Sequence, residues 1–98
     1  KDIDWSYDME TRISDFIYMH ELSSYVTIKS VKCKVSACEI AGFEDTKKSW
    51  SVIMEQIQGE DWWPFTYIQS NIKNIQKTKK GQQESITLFY TLAFKNHV

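Results

Sequence analysis

Two cysteines with four residues between them, in the stretch Val31-Lys32-Cys33-Lys34-Val35-Ser36-Ala37-Cys38-Glu39-Ile40, narrow what this chain can fold into more than any other feature. If the stretch is an antiparallel hairpin with Cys33 opposite Cys38, then Val31 falls opposite Ile40 and Lys32 opposite Glu39. Favourable cross-strand pairs contribute roughly 0.2–1 kcal/mol each, so cysteines, hydrophobes and charges all favour one register. A hairpin brings such cysteines within bridging range, and closing so small a loop adds about 2 kcal/mol in the chain-entropy model. We therefore expect a Cys33–Cys38 disulfide and, with it, an oxidising compartment outside the cytoplasm. Two buried free thiols in a cytosolic core are the alternative, since cysteine is among the most buried residue types.

At 98 residues the chain is one domain with one core. A net charge of −1 with both signs interspersed argues against a general nucleic-acid or anionic-membrane surface. No apolar run approaches the roughly 20 residues needed to span a bilayer. An aromatic share of 14%, four tryptophans included, is generous enough that some aromatics should lie at the surface or in an interface. The sequence starts at Lys1 without a signal-like segment, so we expect a mature or excised fragment, periplasmic and either soluble or anchored through a segment not seen here.

Periodicity predicts a first helix over residues 2–22, with Trp5, Met9, Ile13, Phe16, Ile17 and His20 on one stripe. Asp2, Asp4, Asp8 and Glu10 crowd its first turns, where the helix dipole favours negative charge. A strand over 25–34 follows. Its Val26 and Ile28 lie in one phase and its Val31 and Cys33 in the other, so burying both sets on one face requires a bulge or strong twist near Lys29-Ser30. The return strand is expected over 37–43. A second helix is placed within 44–59, where Trp50, Ile53, Met54 and Ile57 make the core stripe, Asp45 or Thr46 caps the start and Gly59 takes a left-handed C-terminal position. Pro64 rules out continued helix. A third strand is expected over 65–75, a solvated turn over 76–84, and a fourth strand over 85–95. Both phases of the fourth are largely apolar or β-branched, which argues for an interior place in its sheet.

The order is helix-strand-strand, twice. Trp5-Ser6-Tyr7-Asp8-Met9-Glu10 and Trp50-Ser51-Val52-Ile53-Met54-Glu55 share Trp, Ser, Met and Glu at matching positions, which supports pseudo-equivalent halves of about 1–43 and 44–98. The expected fold is α+β, αββαββ, a four-stranded antiparallel sheet with two helices on one face: a circularly permuted ferredoxin-like sandwich.

This layout resembles the periplasmic modules of inner-membrane assembly proteins in bacterial type II secretion and type IV pilus systems, which dimerise and scaffold other components without catalysis. The likeness is one of element order and carries over no residue. The segment from Cys33 to Ile40, followed by a tryptophan-bearing helix and Trp62-Trp63-Pro64-Phe65, is similar to small uncharacterised bacterial exported domains.

Chemical constellations are weak. Cys33, Cys38, His20 and His97 make a Cys2His2 inventory, but their spacing is at the edge of finger patterns and His20 continues an apolar stripe, so no metal is expected. Thiol oxidoreductases use Cys-x-x-Cys at a helix N-terminus, which this pair is not. His20-Glu21 is the only adjacent acid–base pair, and helix neighbours do not face each other, so no catalytic residue and no cofactor are expected. Lys77, Lys79 and Lys80 read as a soluble turn, without the signature of RNA-recognition modules, and no nucleic-acid partner is expected.

Trp62, Trp63, Phe65 and Tyr67 form the candidate interaction surface, because two adjacent loop tryptophans do not easily share one core and such residues concentrate interface energy. On the alternative, one tryptophan caps the core beneath the second helix and the other packs at the sheet edge. The expectation is a non-enzymatic exported domain acting through protein–protein contact, a homodimer included. A small-ligand-binding domain with an aromatic-lined groove between helices and sheet is the alternative.

Overall fold

A computed structural model describes residues 2–45, 48–79 and 81–95. Helix α1 (Asp2–Met19) leads through a single 3-10 turn (Ser23–Tyr25) into β1 (Val26–Lys34) and β2 (Ala37–Glu44). Helix α2 (Ser49–Ile57) precedes β3 (Tyr67–Lys79) and β4 (Gln82–Phe94). The strands form one antiparallel sheet in the order β1-β2-β4-β3, an α+β architecture with β4 in the interior as its two apolar phases imply.

The cysteine hairpin has the expected register. Cys33 lies opposite Cys38, Lys32 opposite Glu39 and Val31 opposite Ile40, and the two sulfurs are bonded. The bulge also falls where the phase conflict demands it. Ile28 pairs with Gly42 and Ser30 with Ala41, leaving Lys29 as the extra residue. That insertion puts Val26, Ile28, Val31 and Cys33 on the same face, where all four join or border the core.

One phase of the sheet is buried: Cys38, Ile40, Gly42 and Glu44 on β2, and Thr87, Phe89, Thr91 and Ala93 on β4. The core cluster joins this phase to Met9, Ile13 and Ile17 of α1 and to Trp50, Ile53, Met54 and Ile57 of α2. Both helical stripes are therefore the ones the periodicity picked out.

Four local expectations are corrected. Residues 45–48 precede α2, which starts only at Ser49 because β2 continues through Glu44; the Glu44 carboxylate, from the strand end, accepts the Trp50 backbone N–H at 2.6 Å, while no side chain of the N-cap Lys48 does so. Thr46 lies outside the described residues. Gly59 is not left-handed; among described glycines only Gly81, in the β3–β4 turn, has positive φ. Finally, β3 and β4 run on to Lys79 and Gln82, well into the segment expected as a turn. Beyond the Asn74–Thr87 pair they continue as a two-stranded arm, past the last β2 pair at Glu44–Thr87. Among the described residues no third strand pairs with the arm to impose an inward and an outward phase, so its polar sequence gave no strand signal.

Edges are handled by side chains. On β1, the Cys33 N–H that faces away from β2 is taken by Glu10 of α1 at 2.8 Å. Edge strand β3 exposes Gln69, Ser70, Asn71, Lys73 and Asn74 together with Tyr67 and Ile72, a mostly polar margin that discourages uncontrolled strand pairing.

Two substitutions probe this frame. A Cβ at Gly42 would sit 2.2 Å from the Thr27 carbonyl oxygen and 2.8 Å from Phe89 Cζ, so Gly42→Ala forces backbone and core apart. We expect it to destabilise by about 3 kcal/mol in urea unfolding, the upper range for overpacking. Val35 holds φ 35° in the two-residue turn, a conformation costly for a β-branched residue. It is exposed, so Val35→Asn should raise stability by about 1 kcal/mol in the same measurement.

Candidate interaction surface

The loop after α2 packs inward more than its sequence suggests. Phe65 is buried, and Trp62 and Trp63 are half-buried against the core. They interlock edge to face with one another and with α1: Trp63 on Phe65 at 4.8 Å, Trp62 on Trp63 at 6.1 Å, Phe16 on Trp62 at 6.4 Å and Trp5 on Phe65 at 6.3 Å. Lys95 places its ammonium 5.0 Å from the Trp5 ring centre, a cation–π contact that closes the cluster. Trp63 Nε1 is buried without a hydrogen-bond partner. Of the four candidate residues, Tyr67 alone points away from this cluster, 51% exposed on the opposite face of the sheet.

That opposite face is the more informative surface. Strand alternation places Leu88, Tyr90, Leu92 and Phe94 of β4 on it, beside Ala37, Ala41 and Phe43 of β2 and Tyr67 of β3. All are half-buried or exposed, with Tyr90 at 42%. Tyr67 and Phe94 meet across the strands with ring centres 4.7 Å apart. Gln69, Asn71 and Lys73 border the strip along β3, and Lys32 and Lys34 along β1. A depression within it is lined by Lys32, Lys34, Ala37, Glu39 and Leu92. The result is an apolar, partly aromatic centre with amide and lysine margins.

Sequence reading missed this strip because it took the two apolar phases of β4 only as a sign of interior position. The available signal was that both phases of β4 are apolar, while the core cluster takes only one of them.

The remaining candidates resolve into structure. His20 Nδ1 accepts the Leu22 backbone N–H at 3.0 Å, which leaves Nε2 as the protonated nitrogen, donating to Gln56 Oε1 at 2.5 Å. The ring thus fastens the end of α1 to α2. Cys33 and Cys38 are bonded and buried. His97, Lys80 and the side chains of Lys77 and Lys79 lie outside the described residues. Among the described residues no three His, Cys, Asp or Glu side chains converge as metal ligands, and no helix is long and apolar enough to cross a membrane.

Two polar contacts organise the sheet. Trp50 Nε1 donates to Thr91 Oγ1 at 2.8 Å, and that hydroxyl lies 3.0 Å from Ser70 Oγ. Since an indole N–H only donates, Thr91 accepts from it and is free to donate to Ser70. On the exposed face Glu39 hydrogen-bonds Tyr90, and this contact, then lost hydration, then the carboxylate charge hold the phenol above its ordinary 10.0.

No protein-family model, characterised protein or solved structure matches the chain.

The Tyr90 contact gives a direct check on the face. The hydroxyl donates to Glu39 only while protonated, so the contact persists from neutral pH through the ordinary phenol pKa and disappears as pH rises through the raised one. Titration of the Tyr90 ring by NMR should show a pKa above 10.0 that falls back toward that value in Glu39→Gln.

Proposed function

We propose that the chain is a non-enzymatic protein-interaction or scaffolding domain of an exported bacterial protein, working through the sheet face formed by Leu88, Tyr90, Leu92, Phe94 and Tyr67. The observation that carries this reading is the unbroken apolar phase of β4 at the surface of an otherwise well-packed fold. Solvated antiparallel sheets ordinarily show polar residues outward, and exposed apolar strips with polar rims mark docking sites. Placement outside the cytoplasm, in the periplasm, is supported by the Cys33–Cys38 disulfide.

In the same proposal, both helices cover one face and the chain is a circularly permuted ferredoxin-like sandwich. The strand order β1-β2-β4-β3 supports this: it is what results when the first strand of a βαββαβ sandwich is moved to its end. The element order also supports kinship in design with the secretion and pilus assembly modules. The ligand-binding alternative draws less support, because the aromatics between helices and sheet fill their space by packing on one another.

A photoreactive residue in place of Gln69 tests the reading, since Gln69 is exposed beside Leu92 and supports no core contact. Irradiation of cells expressing the variant in its native compartment should give discrete protein adducts, lost when Leu92→Asp is added. Absence of any protein adduct overturns the proposal.

A further inference from the structure

The sheet face carries charge as well as apolar surface, and a second surface of the same molecule matches it. Among the described residues, Lys32, Lys34 and Lys73 are exposed around the apolar strip, against Glu39. The side of α1 that borders the β1 bulge, in a depression it shares with Lys29 and Ser30, is mainly acidic. Asp4, Asp8 and Asp15 are exposed there, with Arg12 already bridged to Asp8 at 3.1 Å. Tyr7 and Tyr18 stand among them at 73% and 64% exposure.

The dimensions agree. Tyr7 and Tyr18 are about three helical turns apart, within roughly 20° of each other around the axis and roughly 16 Å along it. The strip from Leu88 to Phe94 is about 20 Å long at the rise of a strand, and four strands are about 14 Å wide, room for one helix. A strand-to-strand pairing at β1 is the rival use of this molecule's surface, but Glu10 already occupies the Cys33 N–H on that edge.

We propose that the sheet face receives the acidic side of α1 from a second copy of this chain, so that copies associate head to tail. The inference rests on the docking role of the face proposed above and names its occupant. Lysines of the face meet aspartates of the helix, and Tyr7 and Tyr18 lie on Tyr90, Leu92 and Phe94. A two-fold dimer of two sheet faces is disfavoured, because it would bring the lysine margins of both copies together. The net charge of −1 leaves no strong repulsion between copies. Because the two surfaces differ, each copy keeps one free, and growth stops only if a ring closes.

Sedimentation and light scattering over a concentration series decide it. Wild type should exceed dimer mass as concentration rises, less so at high salt. Lys34→Glu with Lys73→Glu on the face should weaken association at least tenfold. Thr11→Lys with Asp15→Lys on the helix, chosen away from the first turn and checked for native circular dichroism, should do the same. Mixing the two variants should restore growth, since the acidic face then accepts the basic helix. Strictly monomeric wild type overturns the inference, and so does a helix variant that still dimerises, which is the signature of two sheet faces meeting. Monomeric wild type together with a Gln69 adduct to a different protein overturns the occupant and leaves the docking role standing; no protein adduct at all removes both.

Discussion

The indole of Trp50 lies flat on Phe89, ring centres 3.9 Å apart and planes 12° from parallel, and most of the second half of the fold is arranged to allow this. Gly42, the β2 residue opposite Phe89, has no side chain to push the phenyl ring away. Burying a tryptophan costs least when its N–H groups find partners. Thr91 takes the indole N–H and Glu44 takes the backbone N–H. Through these contacts one residue of α2 is tied to β2 and β4, and through Ser70 to β3. Loss of the stack would free the helix that holds down this side of the sheet.

The first half solves a different problem. Hydrophobes on β1 change phase midway, and the bulge at Lys29 restores them to one face. Met9, Ile13 and Ile17 of α1 then share a core with Cys33 and Cys38, so the disulfide sits inside the core rather than on its surface. An attacking thiolate needs access to a sulfur, and burial denies it. The bond therefore acts as a structural staple, with Glu10 sealing the strand edge beside it.

Much of this was legible in the sequence wherever burial imposes a period. The helical stripes, the cysteine register, the bulge and the interior place of β4 all follow from which residues must face the core. What was not legible lacked such a constraint. The arm formed by the far ends of β3 and β4 has no third strand over it, so alternation there is not enforced. The carboxylate at the start of α2 comes from the end of a strand, outside the local pattern by which caps are recognised. The sequence left Trp62 and Trp63 open between an interaction surface and packing at the core and sheet edge, because adjacent residues seldom share a core; edge-to-face packing with Trp5, Phe16 and Phe65 accommodates both.

The sheet face is where stability and sequence part company. Beyond Tyr67, β3 obeys the ordinary rule for a solvated antiparallel face, with Gln69, Asn71 and Lys73 outward. Its neighbour β4, bearing Leu88, Tyr90, Leu92 and Phe94 outward in the same layer, does not. Polar β-formers such as threonine would serve the ladder equally well at those positions, and they would lower the aggregation hazard of an apolar strip. The buried phase of β4 mixes Phe89 and Ala93 with two hydrogen-bonded threonines, Thr87 and Thr91, while its outward phase over residues 88–94 has no small polar residue. Folding alone gives no reason for that outward row. The protein contact proposed above would give one, because it would bury the outward hydrocarbon.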